Sequence, residues 1–314
     1  MTISPSIPVV RFEQWRDPTQ RAMFVQTVGD ALRDVGFFAL EGHGIPSELI
    51  RNAYGTIQSF FELPDEIKRR YEDPAVKGQR GFVSFGREHA KNHAVPDLKE
   101  FWHVGREVSS GSQPSGWMPN VWPTEVARFR PLIEELYAQM ETCALELLAA
   151  VSLYLDQPEG WLRQTAVGGN TILRLIHYPP IAEDTPVQSL RAAPHEDINL
   201  ITLLCESTAS GLQILGREGS WIPVEAPPGQ IIVDAGDMLQ HLTNGLLKST
   251  THRVVNPDDS RARRFSMPFF VHPRSEVDLT PLPHCIERTG GIPRFEPLTA
   301  GTFLMQRLQE IGLA

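Results

Sequence analysis

Three side chains in the second half of the chain have the types and spacing to bind a metal ion. His195 and Asp197 flank Glu196. On an extended backbone, residues two apart point to one face, so this pair can reach a single cation. His252 comes far enough along the chain to return on another strand and complete the set. Two imidazoles and one carboxylate on one side of a metal leave three positions open, the coordination of a non-haem Fe(II) oxygenase. The same ligand types also suit catalytic zinc. No H-E-x-x-H pair supplies the neighbouring general base of a zinc hydrolase, which puts that chemistry well behind.

An isolated His-x-Asp is weak, and its context strengthens it. Arg264-Phe265-Ser266 follows His252, and its Arg and Ser share one strand face. A guanidinium turned into a barrel needs a partner, because an unpaired buried charge is costly. Its fork matches a carboxylate, and the Ser hydroxyl adds a further hydrogen bond. A carboxylate anchored there, with its other end chelating the metal, describes 2-oxoglutarate.

These residues need elements to position them. Thr171 to Tyr178, Asn199 to Cys205, Gly211 to Leu215, Trp221 to Val224, Ile231 to Asp234, His252 to Asn256 and Arg264 to His272 read as short strands. Pro227-Pro228-Gly229 and Asn256-Pro257-Asp258 punctuate them as turns. The pattern suggests an antiparallel barrel or a double-sheet sandwich. The first half is mostly helical in pattern. Gln20 to Val35 forms one helix ending at Gly36, and Phe37 to Leu40 is a buried strand. Ser47 caps a second helix, broken at Leu63-Pro64, and Asp65 to Tyr71 makes a short polar helix. Pro123 to about Leu155 is a long helix whose apolar residues step by three and four. Between them, Lys77 to Gln113 reads as irregular and therefore functional or mobile. Residues 1–165 thus form a helical region packed on a strand-rich core, residues 166–314, as one integrated unit.

The sequence resembles the 2-oxoglutarate/Fe(II)-dependent dioxygenase superfamily, in the branch similar to isopenicillin N synthase and the plant flavonoid and gibberellin oxygenases. The resemblance covers nearly the whole chain. It is carried by Asp34-Val35-Gly36-Phe37-Phe38 through His43-Gly44-Ile45, by Phe60-Phe61-Glu62-Leu63-Pro64 and by His195-Glu196-Asp197. Leu242-Thr243-Asn244-Gly245, His252-Arg253-Val254 and Arg264 to Phe270 complete it in the same order. It implies a double-stranded β-helix (jelly roll) with a helical N-terminal region. It also implies that His195, Asp197 and His252 bind Fe(II), and that Arg264 and Ser266 hold the distal carboxylate of 2-oxoglutarate. Tyr178 sits where members often have a tyrosine reaching this cosubstrate, whereas His177 replaces the tyrosine that usually precedes it. The implied reaction consumes O2, releases succinate and CO2, and hydroxylates or otherwise oxidises a small molecule such as an amino-acid derivative or secondary metabolite. Isopenicillin N synthase carries a similar Arg-x-Ser and uses no keto-acid, so a cosubstrate-free oxidase is the main rival. A jelly roll that binds ligands without turnover is a second.

Arg174, Phe85, Trp102 with its neighbour His103, and Phe270 are candidates for touching the substrate, Arg174 because it shares strand parity with Tyr178 and Phe270 because it shares it with Ser266. His43 and His241 read as structural. The C-terminal run Phe303 to Leu308 is either a lid or a packed end helix. The 314 residues carry 38 acidic and 29 basic side chains, a balance that disfavours a broad nucleic-acid surface. The short basic runs at Lys68-Arg69-Arg70 and Arg261 to Arg264 read as solvated faces. Three cysteines without a CxxC pair, no signal-peptide pattern and no long apolar run point to a cytoplasmic protein with no membrane span.

Overall fold

The computed structural model describes residues 7–76, 78–87, 96–108, 117–186, 189–225 and 227–310. In the first half the strands are β1 (Val9–Arg11), β2 (Phe37–Glu41), β3 (Gly81–Val83) and β4 (Glu100–Gly105). Next come β5 (Ile172–Tyr178), β6 (Ala192–His195), β7 (Ile201–Cys205), β8 (Leu212–Leu215) and β9 (Trp221–Pro223). The last are β10 (Gln230–Ala235), β11 (His252–Val254), β12 (Arg264–Ser266) and β13 (Pro268–Val271). The helices are α1 (Glu13–Arg16), α2 (Arg21–Asp34), α3 (Ser47–Phe61), α4 (Asp65–Lys68), α5 (Phe129–Tyr154), α6 (Trp161–Ala166), α7 (Asp237–Leu242), α8 (Pro283–Arg288) and α9 (Ala300–Glu310).

The strands form two sheets. The larger runs β1-β2-β10-β7-β13-β5-β4-β3, with β12 also paired to β5, and the smaller runs β6-β11-β8-β9. Every pairing is antiparallel except β1 with β2. Phe37, Ala39 and Ile232 of the larger sheet share one buried cluster with Leu212 and Ile214 of the smaller. The sheets therefore pack face to face as a jelly roll. Four strands of the larger sheet come from the first 165 residues, so both halves of the chain share it.

Helix α5 backs the larger sheet. Its apolar spacing buries Leu136, Met140, Leu147 and Val151, and Tyr137 meets Phe269 of β13 edge-on at 4.9 Å. Helix α2 ends where Gly36 adopts φ +80°, a conformation that favours glycine. A Cβ there would collide with Thr250 Oγ1, so glycine also lets the helix end meet the segment leading into β11. Thr250 Oγ1 donates to Val35 O at 2.7 Å and ties the two together.

Several local expectations change. Ser47 is the first helical residue of α3 and makes no side-chain cap; Pro46 occupies the boundary with extended backbone. Helix α5 starts at Phe129 rather than Pro123, because Arg128 is left-handed at φ 64°. The stretch read as irregular contains β3 and β4, and all six residues of β4 are buried between β3 and β5. A strand buried on both faces shows no polar alternation. Residues 77, 88–95 and 109–113 of that stretch lie outside the described residues. Lys68 is not on a solvated face: it is buried and bonded to Glu100 at 2.8 Å. Arg264, expected to turn inward, is buried, whereas Arg261 is exposed.

Candidate active site

The site lies between the two sheets. His195 ends β6, His252 begins β11, and the two are directly paired across the smaller sheet. Asp197 follows β6 in a loop pinned by backbone: Asp237 N donates to Asp197 O at 2.7 Å and Gly236 N to Leu200 O at 3.0 Å. Gly236 permits this approach, since a Cβ there would collide with Asn199 O.

One ligand atom from each of His195, Asp197 and His252 lies within 4.8 Å of the others. The imidazoles are oriented by the backbone. His195 Nδ1 bonds Ala193 O at 2.7 Å and His252 Nδ1 bonds Thr250 O at 3.2 Å. Each Nδ1 therefore carries the proton, leaving the Nε2 lone pairs to converge on Asp197 Oδ1 at 3.9 and 3.7 Å. Asp197 Oδ2 is taken by the Thr202 hydroxyl, which Asn199 Nδ2 supports at 3.0 Å. Phe37 packs edge-on to the His252 ring at 5.4 Å. Burial first, then the neighbouring His252, lowers the His195 pKa to about 4, so the ring is neutral and able to ligate. The donor set, tautomers and outer hydrogen bonds fit a divalent metal with open positions.

An inner cavity of about 70 Å³ runs from these ligands to Arg264, Ser266 and Tyr178. Strand register sets that far end: Arg264 pairs with Tyr178, and Ser266 with Ile176. Arg264 is 1% exposed, its Nε donates to Ala209 O at 3.2 Å, and its Nη1 is buried without a partner. An unmatched guanidinium nitrogen facing a polar cavity is suited to an incoming carboxylate. Asp234 also lines this cavity, and burial, then the Asp197 carboxylate, pushes its carboxyl well upward. Sequence reasoning missed Thr202 and Asp234; alternation along β7 and β10 from the buried residues was the signal that could have found them.

A larger chamber of about 560 Å³ opens on the other side of His195 and Asp197, and shares Lys99, Arg174 and Phe270 with the inner cavity. Arg174 lies over Phe101 at 4.3 Å and Phe270 at 5.3 Å. Its Nε donates to His103 Nε2 at 2.6 Å, and His103 Nδ1 bonds Gly78 O at 2.7 Å. Lys99 is buried against Asp97 at 2.8 Å. Leu304 and Arg307 of α9 form part of the wall, with Arg307 3.5 Å from Asp237. His272 also faces the chamber, and burial lowers its pKa to about 4.

Two sequence expectations do not hold. Trp102 is fully buried on the β4 face turned away from the chamber, against Phe60 at 4.8 Å and Phe129 at 5.5 Å. Its neighbours Phe101 and His103 face inward, so of the Trp102-His103 pair the period-two alternation keeps His103. Phe85 is half-exposed and lines a separate pocket of about 430 Å³. His177 likewise points to the outer face, bonding Glu100 through Nδ1 at 2.8 Å. The replacement of tyrosine by His177 therefore leaves the inner cavity untouched. His43 Nδ1 accepts from Ile45 N at 3.1 Å, and His241 Nε2 bonds Glu296 O at 2.8 Å.

With this fold and site, comparison with known proteins defines the class. Residues 7–125 match the non-haem dioxygenase in morphine synthesis N-terminal family, and residues 169–273 match the 2OG-Fe(II) oxygenase superfamily. The chain belongs to the 2OG-Fe(II) oxygenase superfamily and is a non-haem dioxygenase that uses Fe(II) and 2-oxoglutarate. It is 31% identical over 306 residues to the 2-oxoglutarate-Fe(II) type oxidoreductase hxnY of Emericella nidulans, covering 93% of this chain and 86% of that one. It is 30% identical over 293 residues to a homoarginine-6-hydroxylase of Oryza sativa, covering 90% and 88%. Among solved structures, a 2OG-Fe(II) oxygenase family protein of Caulobacter crescentus superposes with a TM-score of 0.87 at 36% identity, covering 98% of this chain and 99% of that one.

Proposed function

We propose that His195, Asp197 and His252 hold the iron and that Arg264 and Ser266, with Tyr178 beside them, hold the distal carboxylate of 2-oxoglutarate. Bound iron and cosubstrate supply the oxidising power, and the chain supplies position and dryness. The two backbone carbonyls keep both histidines in the ligating tautomer, and Thr202 turns Asp197 Oδ1 toward the metal. Arg264 fixes one end of the cosubstrate so that its keto-acid end meets the ligands. Substrate enters the outer chamber, where Arg174, held by His103, offers its guanidinium and Phe270 a flat apolar wall.

The charged and amide side chains among the chamber's walls, Lys99, Asn170, Arg174 and Gln240, favour a compact substrate with polar groups, and hydroxylation is the expected outcome. Relatives are named for homoarginine and proline hydroxylation, and one neighbouring structure, from Neurospora crassa, holds thymine. An amino-acid derivative or other compact polar metabolite is the class we assign. The observation that carries this reading is the convergence of three ligand atoms within 4.8 Å beside an inner cavity ended by a buried, partly unmatched arginine. Among the described residues no helix is long and apolar enough to cross a membrane. We infer a cytoplasmic protein without nucleic-acid partners, from the acidic balance and the three buried free cysteines. The 1–165 and 166–314 regions then work as one catalytic unit. The test is succinate release by iron-loaded protein against free amino acids, guanidino compounds and aromatic metabolites. Release stimulated by one class supports the reading; oxygen consumption independent of 2-oxoglutarate overturns it.

A further inference from the structure

Arg264, which lines the inner cavity, is not the only buried cation against Tyr178: Arg191 lies behind the cavity wall on the same ring. Arg191 immediately precedes β6 and is 0% exposed, one of two arginines among the largest fully buried side chains. Its backbone N donates to Asn256 Oδ1 at 3.1 Å, and its Nη2 donates to Ala262 O. Its Nε and Nη1 are buried with no partner. Both guanidiniums lie against Tyr178, the Arg264 carbon 4.9 Å and the Arg191 carbon 5.9 Å from the ring centroid. Neither forms an ion pair with a carboxylate among the described residues. Burial, then the like charge of Arg264, holds the Arg191 pKa below the usual range.

The attraction of each guanidinium to the Tyr178 ring does not offset burying two cations with no carboxylate beside them. Three unmatched N–H-bearing nitrogens and a doubled positive charge are costs that an incoming anion would offset. We propose that Arg191 is a second cation behind the wall of the cosubstrate pocket, a positioning residue that acts through Tyr178 and Arg264 to select a keto-acid carrying a distal carboxylate. This rests on the 2-oxoglutarate reading above. Arg191 sets how strongly the pocket demands the second negative charge, whereas the metal ligands set how the keto-acid end is chelated.

The experiment is anaerobic calorimetric titration of the Fe(II)-loaded protein with 2-oxoglutarate and with 2-oxovalerate, which has the same chain length without the distal carboxylate. Arg191→Met should weaken 2-oxoglutarate binding by about tenfold or more while leaving 2-oxovalerate unchanged. Arg191→Lys should recover part of the preference. The metal-free Arg191→Met protein should melt no lower than its parent, because an uncompensated buried charge has gone. A residue that only supported the fold would give the opposite pattern, a lower melting temperature with the dicarboxylate preference intact. That pattern, or failure of both variants to fold, would overturn the inference. Failure of the parent protein to bind 2-oxoglutarate would overturn the cosubstrate reading itself, and this inference with it.

Discussion

The inner cavity and the outer chamber meet at His195 and Asp197, yet they are built differently. The inner one, about 70 Å³, is lined largely by residues of paired strands in both sheets, and its His195, His252 and Asp197 side chains are held by backbone carbonyls or a neighbouring hydroxyl. The outer one, about 560 Å³, draws its wall from β4 and β5, the loop after β6, α7 and α9. Strand pairing fixes side-chain position more tightly than a helix laid over an opening does. In the proposed function the chemistry sits where register determines geometry, and substrate choice sits where packed segments can vary without disturbing it.

Five changes test that division, from the largest expected effect to the smallest. His252→Ala should take iron-dependent succinate release to background, well beyond the roughly 10–100-fold expected of outer-shell changes. Retained turnover would break the assignment of the smaller sheet to the metal. Arg264→Lys keeps the charge and loses the fork, so the 2-oxoglutarate Kd should rise about 10–100-fold. An unchanged Kd would move the cosubstrate elsewhere. Thr202→Val should lower iron affinity about tenfold by freeing Asp197 Oδ2, measured by competition with a chelator.

In the outer chamber, Arg174→Gln should raise the substrate KM about fivefold and leave the 2-oxoglutarate Kd as it was. A change in both would dissolve the boundary between the cavities. Phe85→Ala should change neither, with stability within about 0.5 kcal/mol of the parent, as thermal melts would show.

The residues proposed to hold the metal and cosubstrate were legible because their chemistry is local. His195 and Asp197 need only two-residue spacing, and Arg264 and Ser266 need only parity along one strand. Helices α2, α3 and α5 were legible from their apolar stripes. Strand β4 was not, because Glu100 sits in its buried run and makes the segment look like a loop. That carboxylate is tolerated by Lys68, two elements earlier, a pairing no local pattern reveals. With the strand hidden, its alternation is hidden too, so the sequence names the Trp102-His103 pair without showing that only His103 is the wall residue. Arg191 escaped for a related reason: its significance lies in lacking partners, which only three-dimensional placement exposes.

The most direct test is a crystal structure of the protein grown anaerobically with Fe(II) and 2-oxoglutarate, with an anomalous map collected at the iron edge. The account predicts one strong peak per chain, bounded by Nε2 of His195, Nε2 of His252 and Oδ1 of Asp197, with keto-acid density running from it to Arg264. An iron peak held by other side chains, or cosubstrate density that leaves Arg264 unmatched, would contradict it.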